Sequence, residues 1–409
     1  MKWVNFLHIY QPPYQRRDII ERVVKESYQP MMEFLRSHPE VKVTINMPGI
    51  LVEQLINSGH DILLHDMGAL AHSGQVELVG TSYAHAILPL IAAPYVVRQL
   101  RKHEATCIKV FGSAYHPRGF FPPEMCYSPE TESVIHNSGF HWMIIDEIAY
   151  NGNLGKVAFN KQYRTENGMI VVFRNRHLSN YLSFAAQAVS PDAFWNEVKR
   201  DDRSSSYLIT AMDGENLGHH RKELLPLWKQ LVTNERVQTC TVSEYLETLN
   251  ETEVCQPLPS SWSSEENEIE RGISYGLWKH PDNALHTLQW QLVERVAELI
   301  ERSQTQGTAR VREAESLFDT AIASDQFWWA SAHPWWDIDM VISRAELLKK
   351  VGALLVLPDD LQNGVNVLVD AIRTTAHAWH REGVARRMRD TFMQAMPLAP
   401  WMANKKMQI

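Results

Sequence analysis

The sequence predicts an α/β fold: a parallel sheet or barrel over roughly the first 250 residues, followed by a region built from helices. Three observations carry this reading. Short apolar runs alternate with stretches of helical period, the signature of repeated βα units. Polar residues close most of those apolar runs. Beyond Cys255 the strand-like runs stop and helical periodicity continues almost to the end.

The strand candidates are residues 4–9, 41–46, 76–81, 119–123, 142–146, 169–175, 207–213 and 237–241, each a short run rich in β-branched or aromatic residues. Seven or eight such strands suffice to close a barrel. Helix starts are marked between them. Ser128-Pro129-Glu130 combines an N-cap with proline at the first helical position, and Thr241 with Glu244 has the spacing of a capping box. A proline- and serine-rich joint at residues 256–264 introduces helix candidates at 283–303, 311–323, 337–354, 360–381 and 384–395. The expected division is therefore 1–255 and 256–409. Two tryptophan-rich stretches, 261–266 and 325–336, place indoles beside polar groups. They read equally as core packing or as aromatic faces for sugar rings.

The 409 residues, 44% hydrophobic and 22% charged, are enough to bury a large core. The formal charge of -8 has the wrong sign for an electrostatic grip on nucleic acid or anionic lipid, so neither is an expected partner. The opening MKWVNFLHIYQPP reads as neither a signal nor a transit peptide. Apolar stretches such as 351–357 fall far short of the roughly 20 residues of a membrane span. Cys107, Cys126, Cys240 and Cys255 are scattered without CxxC spacing, which fits a reducing, cytoplasmic setting.

The polar residues at the ends of the apolar runs are His8, Asn46, Ser82 and His85, Glu124, Asp146 and Glu147, and Asp213. In a βα barrel such positions converge on one rim, where catalytic groups sit. Two are carboxylates in conspicuous surroundings. Glu124 follows Pro122 and Pro123, which limit backbone freedom, and Asp213 precedes Gly214, which permits a tight turn. A pair of carboxyl groups flanking a glycosidic bond is what sugar transfer requires, one to donate a proton and one to attack or to activate water. Each alone fits an N-cap or a buried ion pair equally well.

Four motifs, in order, resemble glycoside hydrolase family 57. His8-Ile-Tyr-Gln-Pro12 is similar to the family's His-x-His-Gln-Pro, and Ser82-Tyr-Ala-His-Ala-Ile-Leu-Pro-Leu90 to its second region. Phe121-Pro-Pro-Glu124 with Pro129-Glu130 resembles the third, and Asp213-Gly-Glu-Asn-Leu-Gly-His219 the fourth. The resemblance implies an irregular (β/α)7 TIM-like barrel over 1–255 and a helical C-terminal domain over 256–409 that covers the active-site rim. It implies a retaining, α-amylase-like hydrolase that acts on α-glucans or maltooligosaccharides through a covalent glycosyl-enzyme, without cofactor or metal. Glu124 would be the nucleophile and Asp213 the general acid/base. His8, Gln11, His85, His219, Trp262, Trp329 and Trp335 would bind substrate. Two positions depart from the pattern. Tyr10 stands where a second histidine is usual, and Phe121-Pro122 replaces Trp-Leu, so the sugar contacts are expected to differ while the carboxylates stay.

The same site would serve a 4-α-glucanotransferase or a branching enzyme, depending on the acceptor. A metal-dependent polysaccharide deacetylase-like enzyme is the reading from another class, prompted by 18 histidines. Against it, no His-x-x-x-His pair occurs, the His377-x-x-His380 pair lies late on a helix, and His219-His220 needs distant partners. A non-catalytic glucan-binding protein is the third reading, although both carboxylates are retained. P-loop and Gly-x-Ser-x-Gly signals are absent, and Cys126 reads as a small buried filler.

Overall fold

A computed structural model describes residues 1–184, 190–304 and 307–395. The chain forms two compact units, Met1–Glu270 and Arg271–Ile409. Among its described residues the first contains ten strands: β1 (Lys2–His8), β2 (Val43–Asn46), β3 (Val76–Val79), β4 (Gly119–Phe120), β5 (Trp142–Asp146), β6 (Gln162–Arg164), β7 (Ile170–Arg174), β8 (Tyr207–Asp213), β9 (Gln238–Cys240) and β10 (Thr252–Val254). All eight strands expected from the apolar runs are present. The short β6 and β10 were not foreseen.

Five of these strands form one sheet and five another. In the first, the order is β3-β2-β1-β8, with β9 also on β1; in the second it is β10-β6-β7-β5-β4. Every pair is parallel except β6 with β7. β1 is the hub of the first sheet. Its whole length pairs with β8, from Lys2 opposite Tyr207 to His8 opposite Asp213. Its other edge is shared, Lys2–Val4 with β9 and Phe6–His8 with β2. Nearly all of β1 is buried, so both faces are apolar, as expected of a parallel strand covered on both sides.

Two narrow seams join the sheets into a closed ring of seven strands, β1-β2-β3-β4-β5-β7-β8. At one, Gly80 bridges Phe120: the Gly80 amide donates to Gly119 O (2.9 Å) and the Phe121 amide to Gly80 O (2.9 Å). At the other, the Asn175 amide donates to Ile209 O (2.8 Å). The first seam depends on bare backbone. A Cβ on Gly119 would lie 2.0 Å from the Trp142 indole. Gly119→Ala is therefore expected to destabilise the fold by roughly 1–3 kcal/mol through overpacking, read as a lowered midpoint in chemical denaturation; an unchanged midpoint would refute this account of the seam.

The helix starts marked in the sequence form as expected. Ser128 accepts from the Thr131 amide, and Thr241 and Glu244 make a reciprocal capping box. A π-helical turn at Val24–Tyr28, which no pattern signalled, precedes the helix Gln29–Ser37.

The second unit is helical: Ala284–Ser303, Ala309–Ala321, Asp325–Ser331, Ile338–Leu354, Asp359–Arg381 and Val384–Ala395. The expected helices are all there, and Asp325–Ser331 is additional. The three long helices Ala284–Ser303, Ile338–Leu354 and Asp359–Arg381 pack on one another, burying Leu292, Val296, Leu348, Val351, Val369 and Ile372. The joint expected at 255/256 and the observed division after Glu270 differ, because residues 256–264 are tied to the barrel. Ser260 and Tyr127 exchange backbone hydrogen bonds (2.9 and 3.3 Å), and the Trp262 amide donates to Glu124 O (3.1 Å). No helix among the described residues is long and apolar enough to cross a membrane.

Candidate active site

Parallel strands place their C-terminal ends on one rim, and the polar residues that close the apolar runs meet there. His8 ends β1. Its Nδ1 lies 2.6 Å from Oδ1 of Asn46, the last residue of β2, and its Nε2 lies 3.0 Å from Nε2 of His85, which follows β3. The two imidazoles stack at 4.9 Å, with Tyr10 stacked on His85 (4.0 Å) and the buried Phe121 on His8 (4.6 Å). Burial pushes His8 down to about 4, against the Asn46 hydrogen bond that favours its charge. Burial and the neighbouring His8 hold His85 well below the usual histidine range. Both rings are therefore neutral at neutral pH and act as hydrogen-bonding groups, not as cations.

Glu124 follows β4. Its backbone is left-handed (φ 59°, ψ 18°), as are those of Met125 (φ 51°) and His85 (φ 60°). Non-glycine residues in this region cost of order 1–3 kcal/mol each and persist where the surroundings over-determine them. Here the surroundings are visible. Trp262 donates its indole N–H to Glu124 Oε2 (2.7 Å) while its amide binds Glu124 O, and His85 Nδ1 stands 3.9 Å from Oε1. The carboxylate is thus aimed by the indole N–H on Oε2, with the neutral His85 ring standing near Oε1, while 21% of the side chain remains accessible. The two prolines before it did not reveal this geometry, since proline restrains its own φ and says nothing about the residue after it.

Asp213 ends β8, in register with His8. Burial raises its carboxyl to about 6, opposed by the nearby positive Arg174. Gly214 serves a different purpose from the one expected. Its φ is not left-handed; a Cβ there would lie 2.4 Å from the Ile9 side chain, so glycine is required by close approach and not by a tight turn. Glu215 is buried beside Asp213. Burial and the Asp213 charge raise it to about 8, and it accepts hydrogen bonds from the Tyr10 amide (2.8 Å) and the Tyr28 hydroxyl. It is a neutral acid at neutral pH. The π-helical turn supplies Tyr28 and two further contacts to this loop. Ser27 Oγ donates to Gly214 O (2.9 Å), and Glu26 lies 2.6 Å from His219 Nδ1. A single extra residue in a helical turn of this kind redirects side chains, and such turns recur at functional sites.

Behind these groups is a buried ionic cluster that the sequence did not announce. Asp146, at the end of β5, binds Arg174 (Nε to Oδ2, 2.6 Å) and Arg176 (Nε to Oδ1, 2.8 Å). Burial pushes Asp146 up, but the two guanidiniums outweigh it and hold the carboxyl below its ordinary range. Arg176 also donates to Ser264 O (2.7 Å), and Glu147 pairs with Arg203 (2.6 Å). Asp146 and Glu147, read as rim groups, are therefore ion-paired supports.

The structure thus joins His8, His85, Glu124 and Trp262 by direct contact, and reaches Asp213 through the β1–β8 register and Arg174. Gln11 is buried and hydrogen-bonded to Tyr28, which places it next to Glu215. His219 is anchored to Glu26 of the π-helical turn. Trp329 and Trp335 belong to the second unit, where Trp335 tilts against Trp328 at 5.5 Å and is 39% exposed. Among the described residues no group of three or more His, Cys, Asp or Glu is arranged to hold a metal ion. His380, from the late histidine pair, accepts from the Trp336 indole (3.4 Å). Cys126 is buried, and its thiol is pushed well up by burial and by the Glu124 charge.

Comparison with known proteins gives the family and the fold. A family model described as glycosyl hydrolase family 57 matches residues 3–259. The chain is 26% identical over 261 residues to an alpha-amylase of Pyrococcus horikoshii, spanning 60% of this chain and 40% of that protein. It is 25% identical over 261 residues to a 4-alpha-glucanotransferase of Thermococcus litoralis, spanning 60% and 39%. The chain spans about two fifths of the length of these curated relatives. Among solved structures, the fold is similar to that of the 4-alpha-glucanotransferase from Thermococcus litoralis (TM-score 0.68, 19% identity, 88% of this chain and 60% of that one). It is also similar to a GH57-type branching enzyme from Pyrococcus horikoshii (TM-score 0.69, 15% identity, 90% and 94%).

Proposed function

The chain belongs to glycosyl hydrolase family 57, and from that membership we propose that it cleaves α-glucosidic bonds in α-glucans or maltooligosaccharides with retention of configuration. The observation that supports this most is that one rim carries two carboxyl groups in opposite states of preparation. Glu124 is aimed by the Trp262 N–H (2.7 Å), as a nucleophile must be. Asp213 is raised by burial to about 6, as a proton donor must be. Surroundings this different support Glu124 as the nucleophile and Asp213 as the proton donor.

In the proposed reaction the Asp213 carboxyl gives its proton to the glycosidic oxygen as Glu124 attacks the anomeric carbon. The C–O bond to the leaving sugar breaks, and a β-linked glycosyl ester forms on Glu124. Asp213, now ionised, takes a proton from the incoming acceptor, whose oxygen displaces Glu124 and restores the α-configuration. His8, whose two ring nitrogens are engaged by Asn46 and His85, holds His85 in place, and the side chains of His85 and Gln11 are the groups that would meet the hydroxyls of the attacked sugar. Water as acceptor gives an α-amylase-like hydrolase, the reading we favour. A sugar hydroxyl in the same place gives 4-α-glucanotransferase or branching chemistry. Product sizing and linkage analysis after incubation with maltoheptaose and amylose test this: only shorter products are expected. Longer chains would indicate transfer and new α-1,6 links branching, while unchanged substrate would overturn the α-glucan assignment.

A pH dependence follows with a definite sign. The donor form of Asp213 is the protonated one, and it is lost as pH rises through its value of about 6. The kcat/KM is therefore expected to fall about tenfold per pH unit on the alkaline side of that value. Initial rates across the pH range check it, and a rate constant flat to about pH 8 would contradict the assignment.

A further inference from the structure

One buried side chain touches the supports of both carboxylates. Arg174, at the end of β7, is 4% exposed. Its Nε donates to Asp146 (2.6 Å), and its Nη1 donates to the carbonyl of Ala211 (3.0 Å), two residues before Asp213 on β8. Its Nη2 is 3.4 Å from the carbonyl of Trp262, and the guanidinium carbon lies 5.2 Å from the centroid of the Trp262 ring. That indole in turn holds Glu124 Oε2. The β7–β8 seam, where Arg174 sits, lacks a regular ladder; beside the Asn175–Ile209 hydrogen bond, the guanidinium supplies a second tie across it.

We propose that Arg174 is a positioning residue that sets the spacing and alignment of Glu124 and Asp213, one planar guanidinium fixing the indole that aims the first and the strand end that carries the second. The inference rests on the roles proposed above for the two carboxylates. The guanidinium suits the task because its donors lie in one plane at fixed angles and its face stacks on an aromatic ring. Lysine, a point charge on a flexible stem, cannot hold Asp146, Ala211 and Trp262 together. A purely structural role, an ion pair between β5 and β7, would explain the Asp146 contact but not the two directed at Ala211 and Trp262.

A loss that falls on kcat with KM kept is the readout that a structural role would not move, and electrostatics add a signature in the pH profile. Asp213 is faced by Arg174 from β7, by Glu215 from its own loop, by Tyr28 from the π-helical turn and by His8 from β1. Arg174 opposes the rise of the Asp213 carboxyl, so removing its charge raises Asp213 further. Asp146 keeps Arg176 and the Ile148 amide when Arg174 is replaced, so its charge stays compensated.

The test uses the full chain on maltooligosaccharides, with Arg174→Lys and Arg174→Met beside Glu124→Ala and Asp213→Asn. Arg174→Lys is expected to lose about 10²-fold in kcat, the cost of a misplacement of about 1 Å, with KM little changed and the alkaline limb where it was. Arg174→Met is expected to show a similar loss with that limb moved to higher pH. Thermal midpoints identify a variant that fails to fold, in which case Arg174→Lys alone decides. Parent-like kcat in both Arg174 variants, or a loss that falls on KM and leaves kcat unchanged, would overturn the positioning role while the carboxylate variants remain inactive. Parent-like activity in Glu124→Ala and Asp213→Asn would overturn the carboxylate assignment instead.

Discussion

Glu124→Ala is expected to lower kcat on α-glucans by on the order of 10⁴-fold or more, and added azide to restore turnover as a β-glycosyl azide. The loss follows from the absence of an atom that can bond the anomeric carbon. The rescue follows from geometry: with the side chain cut back, a small anion can occupy the space beneath the Trp262 N–H and His85 and attack from the same face. Because the anion stays in the product and is not displaced again, the product carries the inverted configuration. Glu124→Gln keeps the shape, and its amide oxygen can still accept from Trp262, so its inactivity without rescue would separate chemistry from packing. Activity of Glu124→Ala within tenfold of the parent, or an α-glycosyl azide, would remove Glu124 from the nucleophile's role.

Asp213→Asn is expected to cost 10²–10⁴-fold on α-glucans, the range associated with a positioned proton donor. The cost should depend on the leaving group. A dinitrophenyl α-glycoside departs without protonation, so glycosylation of Glu124 should remain near the parental rate and deglycosylation become limiting, seen as a burst of dinitrophenol. The alkaline limb should also vanish, because the group that generates it is gone. A loss that is equal for glucan and aryl glycoside, with the limb intact, would assign proton transfer elsewhere. Glu215 would be the group to examine next, being buried, raised to about 8 and adjacent to Asp213.

Much of the barrel could be read from the chain, and for a physical reason. Strands such as β1 and β8 are buried on both faces and so are mostly apolar, and their exits to the rim are polar, so His8 and Asp213 stand out. β6 and β10 did not, because Gln162–Arg164 and Thr252–Val254 are three residues long and mostly not buried, too short for any period to register. The helix Asp325–Ser331 lacks a side-chain N-cap and holds adjacent tryptophans that obscure its period.

In the site, the residues at strand ends were legible and their supports were not. Arg174 lay inside an apolar run as one charged residue, a signal that could have marked it as another rim group. Its partners Asp146, Ala211 and Trp262 come from separate parts of the chain, and spacing along a sequence carries no information about such a meeting. The left-handed turn at Glu124 had no signal either, since glycine or asparagine usually announces that conformation. The π-helical turn that brings Glu26, Ser27 and Tyr28 to the Asp213 loop is equally silent in the sequence.

The register of β1 also has a bearing on how the chain emerges from the ribosome. Lys2–His8 is synthesised some 200 residues before Tyr207–Asp213, the strand that covers its full length. At roughly 5–20 residues per second, that interval lasts roughly 10–40 seconds. Throughout it, one edge of an apolar strand stays open and the other can be met only in part, by β2. Nascent chains should therefore be most prone to capture by chaperones or by one another before β8 appears, and slowing translation downstream of β3 should lower the soluble yield without altering the finished protein.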